Sequence, residues 1–125
     1  DFVYFGMKIC SGKGDKERIL CDYAVKVLNA MEVQYGPSHM EIKSTYSGPC
    51  MVEVGARCHG GEGTWKEIAD ECIGYNQIDV TFFSYVLPEK WKEIPDVPRK
   101  LKKAGREVFL VSLNNGILRS VSGMK

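Results

Sequence analysis

Residues 38–57 constrain the fold most, because apolar and polar side chains alternate there on both sides of Tyr46-Ser47-Gly48. A period of two, broken by a turn tripeptide, predicts a β-hairpin with strands at 38–45 and 49–57. Met40, Ile42, Val52 and Val54 fall on one face, and His39, Glu41, Lys43, Met51, Glu53, Gly55 and Arg57 on the other. A slip of one residue would flip a whole strand, so paired positions must sum to an even number. A three-residue loop at 46–48 satisfies this condition. It sets Thr45 against Pro49, Lys43 against Met51, Glu41 against Glu53 and His39 against Gly55.

Two carboxylates directly across a hairpin repel each other. A hard divalent cation is the natural offset, since Mg²⁺ takes one or two carboxylates together with phosphate oxygens and water. Arg57 and His39 add positive charge or donors for an anion at the same place, and Gly55 leaves room opposite His39. His59-Gly60-Gly61-Glu62-Gly63 then leads into Thr64-Trp65-Lys66-Glu67, which reads as a capping box opening a helix over 65–73. The free N–H groups of such a helix start suit a phosphate or a carboxylate. The plainer reading of the same residues is a solvated strand face, neutralised by Lys43 and Arg57, beside glycines that only form a tight turn.

Around the hairpin, residues 2–8 read as a strand and Ser11-Gly12-Lys13-Gly14 as a turn. Asp15 is the expected N-cap of a helix over 15–32, whose stripe of Ile19, Leu20, Tyr23, Ala24, Val27, Leu28 and Met31 is expected in the core. Gly36-Pro37 ends it. A further helix is predicted over 75–87, carrying Ile78, Phe82, Tyr85 and Val86. The Pro-rich stretch 88–98 reads as a loop, and 99–104 as a short Lys-rich helix with a solvated face. Strands at 107–113 and 116–121 flank Asn114-Asn115-Gly116, a hairpin turn signal. Trp65 and Trp91 are expected to pack in or at the edge of the core. The order predicts an α+β fold, a mostly antiparallel sheet with packed helices.

Several function classes are excluded. With 17 Lys+Arg against 16 Asp+Glu, the formal charge of +1 offers no bulk attraction to nucleic acid or an anionic membrane. No apolar run is long enough to span a bilayer, and no signal-peptide core is present. Cys10, Cys21, Cys50, Cys58 and Cys72 are odd in number and contain no Cys-x-x-Cys pair, so they read as reduced, mostly buried thiols of a cytoplasmic protein. Cys58-His59 with Cys72 is one ligand short of a structural zinc site. Cys58 and His59 also make a poor nucleophile–base pair, because neighbours on an extended chain point apart.

Gly36-Pro37-Ser38-His39-Met40-Glu41, then Gly48-Pro49-Cys50-Met51-Val52-Glu53-Val54-Gly55-Ala56-Arg57 and His59-Gly60-Gly61, resemble the C-terminal part of an ATP-grasp domain. The helix containing Tyr23–Met31 resembles the helix leading into that hairpin, and the nearest subgroup is the carboxylate–amine ligases that act on amino acids. The resemblance covers residues 15–87 well and the ends less well. It implies ATP as a substrate, Mg²⁺ as the cofactor, and a small carboxylate, possibly an amino acid, activated as an acyl phosphate before an amine displaces phosphate. By position it implies Glu41 and Glu53 as metal ligands, with Glu53 bridging. Arg57 and His39 become the catalytic side chains, Arg57 on the transferred phosphate or substrate carboxylate and His39 facing phosphate. Gly60 and Gly61 line the acyl-phosphate loop. The family usually has Asn where this chain has Gly55, so one metal contact is missing or comes from water or elsewhere.

The lid, the two nucleotide-binding lysines, the adenine pocket and the preceding α/β domain implied by the family have no counterpart in residues 1–125. The strand-like start at Asp1, without an initiator Met, and the end at Lys125 just past a strand fit a single lobe of a longer enzyme, inactive alone. The missing N-terminal and lid regions would be its partners. The alternatives are a non-catalytic module of the same fold that binds an anion or a protein, and a structural domain whose polar hairpin face is merely solvated.

Overall fold

The computed structural model describes residues 3–123. The expectations for Asp1, Phe2, Met124 and Lys125 lie outside the described residues. The chain runs β1 (Gly6–Lys8), α1 (Asp15–Ala30), β2 (His39–Thr45), β3 (Gly48–Gly55), a 3₁₀ turn (Gly61–Gly63), α2 (Thr64–Cys72), α3 (Gln77–Val86), α4 (Pro88–Glu93) and β4 (Arg106–Val108). β1 pairs with β4 and β2 with β3, both antiparallel. The fold is α+β, as the element order predicts, built on two separate two-stranded sheets.

α1 starts one residue earlier than its acidic signal implies. Gly14, not Asp15, is the N-cap, and Glu17 reaches back to accept from the Gly14 N–H at 3.3 Å. Ser11 donates its hydroxyl to the same carboxylate at 3.0 Å, and that bond comes first among the causes holding Glu17 below the usual carboxylate range. Leu20, Tyr23, Ala24, Val27 and Leu28 are half-buried, while Ile19 and Met31 are 55% and 51% exposed. The stripe is therefore a covered seam rather than a core. It lies along the hairpin, where the Tyr23 hydroxyl accepts the Met51 N–H at 3.2 Å.

The innermost residues are Trp65, Ala69 and Cys72 of α2, with Asn76 just beyond. Asn76 is 1% exposed and fully engaged. Its Oδ1 accepts the Asp79 N–H at 2.9 Å and caps α3, while its Nδ2 donates to Asp70 and Asp79, each at 2.7 Å. Burial pushes the Asp70 carboxyl up, but the bonds from Asn76 and Lys66 outweigh it and hold the group low. Trp91, expected in or at the edge of the core, is 47% exposed. Cys10, Cys21 and Cys50 are exposed, Cys58 is half-buried and only Cys72 is buried, so the free thiols are mostly not interior.

The last third of the chain departs most from expectation. Pro88 opens α4 inside the stretch read as a loop, since proline's fixed φ suits the first helical position. No helix forms over 99–104. There the Lys102 N–H donates to the Cys72 carbonyl at 2.7 Å and Lys103 pairs with Glu71, so the segment closes the end of α2 instead. The hairpin around Asn114-Asn115-Gly116 is also absent. Beyond Val108 only the Phe109 N–H continues the ladder, to the Phe5 carbonyl. The Ser112 hydroxyl bonds to Asn114, a local turn that competes with strand pairing.

Replacing Asn76 by Ala removes a helix cap and leaves buried polar groups unpaired, a loss of about 2 kcal/mol. Urea unfolding followed by circular dichroism checks this, with the midpoint expected to fall while the unfolding slope is unchanged.

Candidate functional site

The hairpin register near the site is as predicted, with His39 opposite Gly55, Met40 opposite Val54 and Glu41 opposite Glu53. Beyond Glu41 it shifts by one residue, so that Ile42 faces Met51, Lys43 faces Cys50 and Thr45 faces Gly48. The pairings of Lys43 with Met51 and Thr45 with Pro49 are thus wrong. Val52 is an extra residue, a β-bulge, and the connecting turn shrinks to Tyr46-Ser47. The two faces exchange accordingly. Met51 turns to the apolar side and is half-buried, whereas Val52 is 51% exposed.

Glu41 and Glu53 are both exposed, and none of the four ion pairs among the described residues includes them. No cluster of three or more His, Cys, Asp or Glu side chains with metal-binding geometry occurs among the described residues. Two acceptor-only carboxylates still fit Mg²⁺, which completes its octahedron with water and phosphate oxygens. Zinc, which takes four closely placed ligands, does not suit this pair. Cys58 is committed elsewhere, its Sγ lying 3.5 Å from the Thr81 hydroxyl.

Past β3 the chain folds back over the end of the hairpin. A Cβ at Gly55 would meet the Cγ, Nε and Cζ atoms of Arg57 at 3.4 Å. The room at Gly55 therefore admits the Arg57 side chain, beside the position where a ligand is expected. Arg57 is exposed and its Nη1 donates to the Cys58 carbonyl at 3.1 Å. His59 stacks on His39 with ring centroids 4.4 Å apart and planes at 28°. The Nδ1 atoms of both rings are buried without a hydrogen-bond partner among the described residues.

The loop between His59 and α2 is pinned at two points. The Gln77 side chain accepts the His59 N–H at 2.7 Å and donates to the Ser38 carbonyl at 2.8 Å. The Trp65 indole N–H donates to the Gly60 carbonyl at 2.6 Å. Gly61 has φ +68°, the left-handed region that favours glycine, and a Cβ there would lie 3.7 Å from His59 Nε2. No capping box forms at Thr64. Gly63 is the N-cap of α2 without a side-chain cap, and the Thr64 hydroxyl bonds to the Gly61 carbonyl and to the Glu107 carboxylate.

Burial holds the His59 imidazole below its usual range, and the adjacent His39 and Arg57 act in the same direction. Glu107 and Glu41 pull it back up without reversing the shift. His59 is therefore neutral at pH 7. Sequence reasoning missed His59, Gln77 and Glu107 as parts of this site. The one available signal was that the chain has only two histidines, one on the polar hairpin face and one opening the glycine loop.

Over 73 residues, 58% of the chain, the sequence is 33% identical to dapdiamide A synthase from Enterobacter agglomerans. The aligned part is 17% of that protein, so the chain spans about a sixth of its length. No family model matches the chain, and no solved structure matches it significantly. Among the described residues, no helix is long and apolar enough to cross a membrane.

The His59 shift has a defined sign. Well above pH 6.5 the ring is neutral in both folded and unfolded chains. As the pH falls from 6.5 toward the lowered folded value, the unfolded chain takes the proton first and stability is lost. NMR titration is expected to place the His59 midpoint below 6.5 and to move it up in His39→Gln.

Proposed function

We propose that this chain is the metal- and phosphate-binding lobe of an ATP- and Mg²⁺-dependent carboxylate–amine ligase. The observation that carries the reading is the exposed Glu41–Glu53 pair, in register across the hairpin beside Arg57 and the Gly60-Gly61 loop. The similarity to a synthase supports it.

In the proposed reaction a substrate carboxylate oxygen attacks the γ-phosphorus of ATP, and ADP leaves. The amine nitrogen of the second substrate then attacks the carbonyl carbon of the acyl phosphate and expels phosphate. Such transfers are catalysed chiefly by positioning and charge stabilisation. Glu41 and Glu53 would hold Mg²⁺, which would supply charge neutralisation of the polyphosphate. Arg57 binds the transferred phosphate or the substrate carboxylate, and its side chain can swing from Gly55 without moving the backbone. His39 faces the same anion from β2. Gly60 and Gly61 present backbone N–H groups to the developing oxyanion. With Gly55 at the position of the family's Asn, that position would supply no side-chain ligand to the metal. The full reaction also requires a nucleotide lid, so the proposed activity is that of a complete enzyme rather than of these 125 residues alone.

In the complete protein, Glu53→Gln is expected to weaken metal-dependent ATP binding at least tenfold and to abolish turnover, as read by calorimetry and phosphate release. Unchanged binding and turnover would sink the metal assignment. Without metal, replacing both Glu41 and Glu53 by Gln relieves a like-charge pair, and the unfolding free energy should rise by about 0.5 kcal/mol.

A non-catalytic anion-binding module is the second reading, favoured by Arg57 filling the space at Gly55. It requires phosphate binding that ignores Mg²⁺ and is lost in Arg57→Ala.

A further inference from the structure

The His59 ring is fixed in place before any ligand arrives. Its main-chain N–H donates to the Gln77 side chain at 2.7 Å, which sets where the residue leaves the backbone. The ring packs against two others, with the His39 centroid 4.4 Å away and the Trp65 centroid 5.6 Å away. It cannot turn without breaking both contacts.

The edge of the ring that faces the glycine loop carries Nε2 and Cε1. A Cβ added at Gly61 would lie 3.7 Å from the first and 3.9 Å from the second. A Cβ at Gly60 would meet nothing within 4 Å, so the space beside the loop is open at the neighbouring residue. The other ring nitrogen, Nδ1, is buried without a partner among the described residues. A proton there would make it an orphaned buried donor, among the rarest unsatisfied groups in folded proteins. The neutral ring therefore carries its proton on Nε2. The neighbouring Glu107 carboxylate is taken by the Thr64 hydroxyl, which leaves the Nε2–H free for a ligand.

We propose that His59 is a further phosphate-binding side chain, donating its Nε2–H to the oxyanion received by the Gly60-Gly61 backbone. This role rests on the reading of that loop as phosphate-binding. A neutral imidazole can polarise an oxyanion where its surroundings keep the imidazolium from forming. Burial first, and then His39 and Arg57, keep His59 in the neutral form. Arg57 brings charge on a long, exposed side chain, whereas His59 brings one directed hydrogen bond from a fixed ring. The two are not interchangeable.

Calorimetry of the complete protein with inorganic phosphate as the probe tests the assignment. His59→Phe keeps an aromatic ring in the stack and removes both ring nitrogens. It is expected to weaken phosphate binding about tenfold, the worth of one hydrogen bond to a charged acceptor. His59→Gln returns a neutral N–H₂ donor and should recover most of the loss. Unchanged binding in His59→Phe, or a loss that His59→Gln does not relieve, would overturn the proposal. Nitrogen-15 spectra of the histidine-labelled wild-type protein decide the case should a variant fail to fold. An Nε2–H tautomer of His59 that shifts on adding phosphate is expected, and an Nδ1–H tautomer, or no shift, would overturn it. The ligase reading fails separately. Mg-ATP binding lost in Glu53→Gln, with phosphate binding intact in His59→Phe, would spare that reading and sink this role. Phosphate binding that needs His59 but ignores Mg²⁺ and Glu53→Gln would keep this role and sink the metal assignment.

Discussion

The single inserted residue at Val52 reconciles two demands that a regular hairpin cannot meet together. The site needs Glu41 opposite Glu53, and the apolar face needs Met51 turned toward α1. In an unbroken ladder these conflict, because alternation is strict. With Val52 bulged, the base of the hairpin keeps one register and the tip takes another. The Met51 N–H beside the bulge is bound by the Tyr23 hydroxyl, which docks α1 at that point. A bulge also bends its strand and deepens the local twist. The direction in which β3 delivers Gly55 and Arg57 thus follows from the same residue.

The other half of the site depends on hydrogen bonds from helices that follow it in sequence. A loop with glycine at 60, 61 and 63 loses much conformational freedom on ordering. Gln77 and Trp65 bear that cost by fixing both ends of its first turn. Gln77 bridges Ser38 before β2 and His59 after β3, so one amide ties together the two strands' outer ends. The stack of His59 on His39 follows from that bridge. It also means that the orientation of α3, which carries Gln77, is felt directly at the loop.

How much was legible in the sequence follows from the range of the interactions involved. The carboxylate pair could be read because it depends on alternation and on register at the hairpin base. Helices α1 and α3 could be read from spacing and α2 from the start signal at Thr64–Glu67, each to within two residues at its ends. The bulge could not, since Met51 and Val52 are both apolar and either can face inward. The cap at Thr64 failed because its hydroxyl is drawn to Glu107, a residue 43 positions away. The strands expected over 107–113 and 116–121 have suitable side chains but depend on partners that local pattern does not supply. Only Arg106–Val108 finds one, in β1.

That last shortfall and the exposed apolar face of α3, where Ile78, Phe82, Tyr85 and Val86 stand open to water, have a common physical origin. Among the described apolar residues only Trp65, Ala69 and Cys72 are buried, although a chain of this length can enclose a substantial core. Leu110, Leu113, Ile117 and Leu118 stand 78–90% exposed in segments patterned as strands. The two surfaces call for different kinds of cover. α3 satisfies its own backbone and lacks only apolar contact, which any apolar surface can supply. The β1–β4 ribbon is open along its edges, and a two-stranded sheet is marginal by itself. Its completion takes an added strand with free N–H and C=O groups, which no helix face can provide. Covering the first surface therefore leaves the second unmet, and the two are independent requirements on whatever surrounds the site.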